Sequence, residues 1–596
     1  EYDVTVYVST QMPHGFRNAM ATVFDLAPER ARVIAPHVGG AFGGKAGMSA
    51  EHAVTVAAAR RLGRPVRWTE ARSENLVAMP HGRGQVQYVQ LGLKFDGTIT
   101  GLRCQLIGDA GAYAGFGGGL AMGPTYAMAQ GVYAIPRISY DAVSVLTNTT
   151  PMGAFRGAGR PEAAALLERI MDIGAAELGI DPAEIRRRNF VSPQEFPFTT
   201  QVGTTYDSGD YDLPLTEALR LADYEALRAE QAARIERGER RLLGIGLSCY
   251  VEITAGVGGK EYGALEVHAD GSATIKVGTS AHGQGHATSF AMIVSDRLGI
   301  PMESIRFVQS DTAQVPRGGG TGGSRSLQIG GNATGKAADV VFDRAKRLAA
   351  ELLEASEDDI VVHHDAGGLG VAGVPDTVLS WPYLVEAANG KVANGDGEPL
   401  SAEVDFEQEG ATFPFGAHLS VVEVDTETGW VRPVRHVAVD DCGRVVNPLL
   451  VAGQQHGGTA QGIAQALWEH YTYDADGNPS TSSLAEYTIP SAADLIDFDV
   501  ANTVTPSPRN PLGVKGIGES ATVGATPAVQ NAVVDALRHL GVRHIDLPCT
   551  PHRVWQAIRA AEAGSLPSHW REPPEVFATL PVRGSEKRPD AAGADI

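Results

Sequence analysis

Lys515-Gly516-Ile517-Gly518-Glu519-Ser520 sets a single carboxylate in a glycine-bracketed loop just ahead of a helical stretch. That is where a buried general base would be placed, because glycine, having no Cβ, lets the backbone approach a bulky ligand closely. Three other loops share its small, amide-rich character: Gly39-Gly40-Ala41-Phe42-Gly43-Gly44, Gly283-Gln284-Gly285, and Gly318 through Ser326. Four such loops, far apart in the chain, imply one large anionic cofactor wrapped by several segments.

A chain of 596 residues is too long for one ordinary core, so two or more domains are expected. Its 71 glycines are well above the usual share of about 7% and follow no collagen-like period, so they belong to tight loops. The formal net charge of −21, with no basic run, argues against nucleic acid as a partner. No apolar run is long enough to span a bilayer. The four cysteines, Cys104, Cys249, Cys442 and Cys549, are widely spaced, which excludes a zinc ribbon or an iron–sulfur cluster on this chain. Isolated thiols also fit a reducing compartment, so the chain is expected in the cytoplasm.

Strand and helix signals alternate irregularly, predicting mixed α+β layers. Asp3 through Val8 reads as an alternating strand with no charged-then-apolar leader before it. Pro161 opens a helix over 161–178 that Gly179 ends, and Asp181, Pro182 and Glu184 start another. The charged stretch 217–241 reads as a surface helix and linker, placing a domain boundary near residue 242. Ala273, Ile275 and Val277 alternate as a strand, and a helix from His286 to Leu298 follows the Gly283–Gly285 loop, whose amides would then favour an anion. A further helix is expected over 526–541, with Thr526 as cap and Pro527 at its first turn. The stretch 385–400 reads as a solvent loop, and residues from about 583 as a disordered tail.

Other motifs are weighed against this reading. Gly39-x4-Gly44-Lys45-Ala46 approaches a phosphate-binding P-loop, but Ala46 stands where magnesium needs a hydroxyl, which disfavours a nucleotide-binding enzyme. Gly516-x-Gly518-x-x-Ala521, with Asp535 as ribose acid, approaches a dinucleotide fingerprint. Its upstream segment, Pro506 to Pro511, is too proline-broken to be the central strand that fold demands. His282 and His286 have the spacing of a metal pair but no third ligand, so capping or packing is the simpler role. Arg156, in the turn Gly153-Ala154-Phe155-Arg156-Gly157-Ala158-Gly159-Arg160, is expected to bury little. A non-catalytic binding protein would hold no metal and would tolerate loss of Glu519.

Taken together and in order, from Ser9-Thr10-Gln11 to about residue 560, these segments resemble the molybdenum-cofactor subunit of the xanthine oxidase, aldehyde oxidase and CO dehydrogenase group of molybdenum hydroxylases. The resemblance implies two mixed α/β cofactor-binding domains, 1–241 and 242–582, packed around a shared cleft, with 583–596 as tail. It places Gln11 beside the metal's apical oxygen, as it does the GGxFGG-type loop with Gly40, Phe42 and Gly43. Arg156 becomes the active-site arginine, and Glu519 the base. Pterin and phosphate contacts fall on Gly283, Gln284, Gly285, His286, Gly322, Gly323, Ser324, Arg325, Ser326 and Gln454. The metal would be held by the pterin dithiolene rather than by side chains.

The same resemblance implies a molybdopterin cofactor, in bacterial relatives usually the cytosine dinucleotide form. Water-derived oxygen would be added to an aldehyde or N-heteroaromatic carbon while hydride passes to a molybdenum-bound sulfide. Electrons would leave to partner subunits carrying 2Fe–2S clusters and FAD, in a dimer of heteromers. The family's smaller upstream domain would come from a separate chain or from further N-terminal sequence. Purine-oxidising relatives place Glu where this chain has Ala46, and CO-oxidising relatives a copper-binding Cys where it has Gly157, so neither purine nor CO is the expected substrate.

Overall fold

The computed structural model describes residues 2–113, 115–256 and 259–580; the tail expected from residue 583 lies outside the described residues. Its organising element is the helix Ser520–Leu537, of sequence SATVGATPAVQNAVVDAL, in which every residue is buried. A helix apolar or small on all sides can be enclosed on all sides. One flank carries the four-stranded sheet ordered Asp499–Thr503, Val431–Asp441, Phe415–Asp425, Arg241–Val251. The contact is glycine-deep: a Cβ on Gly244 or Gly246 would lie 2.0 or 2.1 Å from the carbonyl oxygens of Ala532 and Ala528. On another flank the helix Pro448–Leu467 packs through Gly458 and Gly462, whose carbonyls accept hydrogen bonds from the Thr522 and Thr526 hydroxyls at 3.0 and 3.2 Å.

This helix corrects the expected start at Thr526. It begins at Ser520, and Pro527 lies inside it. An interior proline costs about 3 kcal/mol, and here packing on every side outweighs that. The helix N-terminus therefore falls on Glu519 rather than about two turns beyond it.

The helix Arg160–Leu178, closed by Gly179 in the left-handed region, also packs against the central helix. Asp181 caps the next helix, Pro182–Arg187, by accepting from the Ala183 and Glu184 amides. One hydrophobic core runs from Ile99 through Leu247 to Val439, crossing residue 242. A second sheet, ordered Ile305–Val308, Ala273–Val277, Gly259–Val267, Ser401–Gln408, carries the helices His286–Leu298 and Asn332–Leu352 over its own core. Val4–Tyr7 pairs in parallel with Ala31–Ile34, which leads into the first glycine loop.

Two local expectations change. The 217–241 stretch contributes to two helices, Asp212–Ala222 and Tyr224–Glu236, hinged at a left-handed Asp223. The 385–400 stretch is helical as far as Ala393, because Trp381, Leu384, Val385 and Ala388 keep helical spacing and are buried, outweighing the turn signal of Asn389-Gly390. The mixed α/β architecture itself is as expected. Among the described residues no helix is long and apolar enough to cross a membrane.

Candidate active site

The glycine loops converge on one cavity of about 440 Å³, within the usual range for ligand sites. Its walls include Gln11, Gly40, Phe42, Gly43, Arg156, Gly283, Gln284, His286, Gly322, Gly323, Ser324, Ser326, Gln454 and Glu519, along with Ala46. Two expected residues stand back from it. Gly285 caps the helix His286–Leu298 at φ 77°, against Leu450. Arg325 turns to the buried Glu261, 3.6 Å away, and to the Lys260 carbonyl.

Glu519 is held at three points. Its Oε1 accepts from the Gly157 N–H at 2.8 Å, and its Oε2 accepts from the Ser324 hydroxyl and from Arg160 Nη2, each at 2.8 Å. Burial alone would favour the neutral acid, but the Arg160 charge, the Gly157 N–H and the Ser324 hydroxyl outweigh it and hold the carboxyl below its ordinary range. Its place at the N-terminus of the central helix acts in the same direction. Glu519 is therefore an ionised carboxylate on the cavity wall. Oε1, with one partner, keeps a lone pair for a proton.

Arg156 is only 5% exposed, contrary to the expectation for a turn residue. Its guanidinium spans the cavity floor. Nε donates to the Gly518 carbonyl, Nη1 to Gln461 Oε1 at 3.0 Å, and Nη2 to Gln454 Oε1 at 3.0 Å. It also lies over the Phe42 ring at 5.5 Å, and burial pushes its pKa down to about 10. The Arg156 N–H donates to the Phe42 carbonyl, and a Cβ on Gly43 would lie 2.5 Å from the Ala154 carbonyl oxygen, so the two loops interlock. Gln11 ties a third loop in: its Nε2 donates to the Thr321 carbonyl at 2.8 Å, and its Oε1 accepts from the Lys45 N–H at 3.4 Å.

The decoys resolve by geometry. Lys45 Nζ curls back onto the Val38 and Gly40 carbonyls at 3.0 and 2.7 Å, so it does not reach outward as a P-loop lysine does. Asp535 lies elsewhere, accepting from Arg228, Gln231 and the Ile245 N–H. Among the described residues no cluster of His, Cys, Asp and Glu has metal-holding geometry. His286 stacks on Phe290, and burial pushes His282 down to about 4 and His286 to about 3, so both rings are neutral.

The cavity is suited to an extended polar organic group. His282 Nε2 and His286 Nδ1 are buried without a hydrogen-bond partner, and a Cβ at Gly283 or Gly323 would meet open space. Orphaned buried donors and acceptors of this kind await a ligand. A metal carried by such a group would need no protein ligands.

Sequence reading passed over Arg160, although it closes the quoted turn, because its partners Glu519 and Glu252 lie 359 and 92 residues away. Gln461, also on the cavity wall, carried no motif, and the nearly inaccessible Lys515 was given no role although it opens the quoted glycine loop. Helical spacing from Gln454 to Gln461 was the signal available for the former.

Two models described as molybdopterin cofactor-binding domains match residues 1–190 and 217–496. The chain is 37% identical to the carbon monoxide dehydrogenase large chain of Hydrogenophaga pseudoflava, covering 94% of this chain and 71% of that one. It is 35% identical to the nicotine 6-hydroxylase large subunit of Paenarthrobacter nicotinovorans, covering 95% and 71%. The solved quinoline 2-oxidoreductase of Pseudomonas putida 86 superposes with a TM-score of 0.87 at 35% identity, over 93% of this chain and 72% of that one.

Proposed function

Because the chain belongs to the xanthine oxidase, aldehyde oxidase and CO dehydrogenase group of molybdenum hydroxylases, as their molybdenum-cofactor-binding catalytic subunit, we propose that it hydroxylates a carbon of an N-heteroaromatic ring, with Glu519 as general base. The observation that carries this reading is the Glu519 carboxyl on the cavity wall, pinned by the Gly157 N–H, the Ser324 hydroxyl and the Arg160 guanidinium. The overall change is C–H plus water to C–OH, two protons and two electrons.

Gln11, Phe42 and Gly43 would face the metal end of the cofactor. Gly283, Gln284, Gly322, Gly323, Ser324, Ser326 and Gln454 would hold the pterin and its phosphate, in the cytosine dinucleotide form. When bound, the cofactor supplies Lewis acidity and accepts the two electrons. Glu519 Oε1 takes the proton released as oxygen is transferred, a contribution of about 10²–10⁴ in rate. Arg156 holds Phe42, Gln454 and the Glu519 loop in one arrangement, so that reacting groups meet in register. Electrons pass on to partner subunits bearing 2Fe–2S and FAD, since the four cysteines here are separate and buried. Four dispersed, buried cysteines also support a cytoplasmic setting. The matched spans, 1–190 and 217–496, support two cofactor-binding domains, the second of which begins ahead of residue 242.

Gly157 weighs against CO as substrate. At φ 104° a side chain is strained, and its Cβ would lie 2.4 Å from Pro161 Cγ, leaving no room for a copper-binding thiolate. Cys442 lines the cavity, but burial pushes its thiol up to about 12, so it remains protonated. Ala46 on the wall offers no acid to a purine. The heteroaromatic class is favoured over aldehydes by the two relatives named for nicotine and quinoline. Turnover of pyridine- and quinoline-type rings by molybdenum-loaded complex, compared with aldehydes, xanthine and CO, tests the assignment. Efficient CO oxidation overturns it.

A further inference from the structure

One nitrogen, Arg160 Nη2, donates to two carboxylates: Glu519 Oε2 at 2.8 Å and Glu252 Oε1 at 3.1 Å. Glu252 follows the strand Arg241–Val251 and is completely buried; its Oε2 accepts from the Ser520 hydroxyl at 2.9 Å. It does not line the cavity, and no step above uses it. The charged and titratable groups around the pair are Arg156, whose charge both carboxylates feel, and Tyr250, whose hydroxyl is directed to Asp440. Beyond Arg160 lies Glu162, paired with Arg83 at 3.6 Å. Arg156 acts on both carboxylates through space, whereas Arg160 hydrogen-bonds both, so in a medium that screens poorly the two compete for one guanidinium nitrogen.

We propose that Glu252 shares Arg160 with Glu519 as a common counter-ion and thereby sets the basicity of Glu519, making Glu252 a positioning residue for the hydroxylation. The proposal rests on the reading of Glu519 as base.

Burial pushes the Glu252 carboxyl up to about 7, with the Glu519 charge adding to the rise and Arg160 and Ser520 opposing it. Below that pH Glu252 is neutral, Arg160 serves Glu519 alone, and Glu519 is a weak base. Above it both carboxylates are ionised and Arg160 is divided between them. Glu519 then holds a proton more avidly, and taking one leaves Arg160 paired with Glu252. Coupled groups of this kind titrate as a pair.

The test compares pH profiles of kcat/KM for the molybdenum-loaded complex carrying wild type, Glu252→Gln or Ser520→Ala. Wild type should show a rising limb near pH 7. Glu252→Gln should lose that limb and be on the order of tenfold slower at pH 8, with unchanged molybdenum content. Ser520→Ala removes a hydrogen bond that favours ionised Glu252, so its limb should move to higher pH; this variant keeps the proposal testable if Glu252→Gln folds poorly. Thermal melting gives a readout independent of turnover. Glu252 has a folded pKa above its ordinary 4.5, so its contribution is full below that value and lost as pH rises toward about 7. The Tm of wild type relative to Glu252→Gln should therefore fall over that window. An unchanged limb in Glu252→Gln, or a uniform loss at every pH with parallel melting curves, overturns the proposal. Full activity in Glu519→Gln would instead remove the base, while leaving the melting difference intact, so the two failures are separable.

Discussion

Glu519 Oε1 accepts a hydrogen bond from the Gly157 N–H at 2.8 Å, joining loops 362 residues apart. The amide belongs to the residue after Arg156, so the candidate base and the arginine beside it are fixed by the same turn.

Replacing Glu519 with Gln keeps the side chain's size but removes its proton affinity. Molybdenum content should stay near wild type, because most of the expected cofactor contacts lie in other loops. Both kcat and kcat/KM should fall by about 10²–10⁴. Metal analysis alongside steady-state kinetics checks this; a fully loaded variant of near-normal activity would contradict the assignment.

Arg156→Ala should lower kcat/KM and also lower Tm. The deletion leaves the Gly518 carbonyl and the Gln461 and Gln454 side chains without their donor in a part-buried setting, at up to about 1–3 kcal/mol for each group left unsatisfied. Denaturation and kinetics measured on one preparation test both halves. Unchanged stability would mean that the guanidinium does not tie these walls together.

Gly157→Cys should destabilise the protein without conferring CO oxidation. The residue sits at φ 104°, and its Cβ would press on Pro161 Cγ and Cδ at 2.4 and 2.6 Å, so a loss of about 1–3 kcal/mol is expected. Melting temperature and a CO assay with added copper read the outcome.

Gly462→Val should separate two helices. Its Cβ would come within 2.7 Å of Ala525 Cβ on the central helix, and overpacking of this kind costs about 1–3 kcal/mol. Gln454 and Glu519 ride on the two helices, so molybdenum retention should drop together with Tm. A variant that retained both would show the contact to be more yielding than its geometry implies.

Purified complex should contain about one molybdenum per copy of this chain, and the isolated chain no stoichiometric iron. The thiols of Cys104, Cys249, Cys442 and Cys549 are all buried, and no group of His, Cys, Asp and Glu among the described residues has metal-holding geometry. Elemental analysis of complex and isolated chain decides it.

Features written in local backbone chemistry were legible from the sequence. Glycine loops at 39–44, 283–285, 318–326 and 516–518 announce themselves, because positive φ and close approach select glycine wherever they occur. The helices opening at Pro161 and His286 were readable from caps and spacing. From these the α+β class, the convergence of loops and the place of Glu519 followed. Only the tertiary structure decided how the central helix begins, because burial on every side carried it through Pro527, which read locally as a start. It alone turned Arg325 away toward Glu261, buried Arg156, and set Arg160 between Glu519 and Glu252. An ion pair between residues hundreds of positions apart leaves no period, cap or turn signal in either segment; it exists only once two helices and a strand meet, and it is there that the candidate base finds its counter-ion.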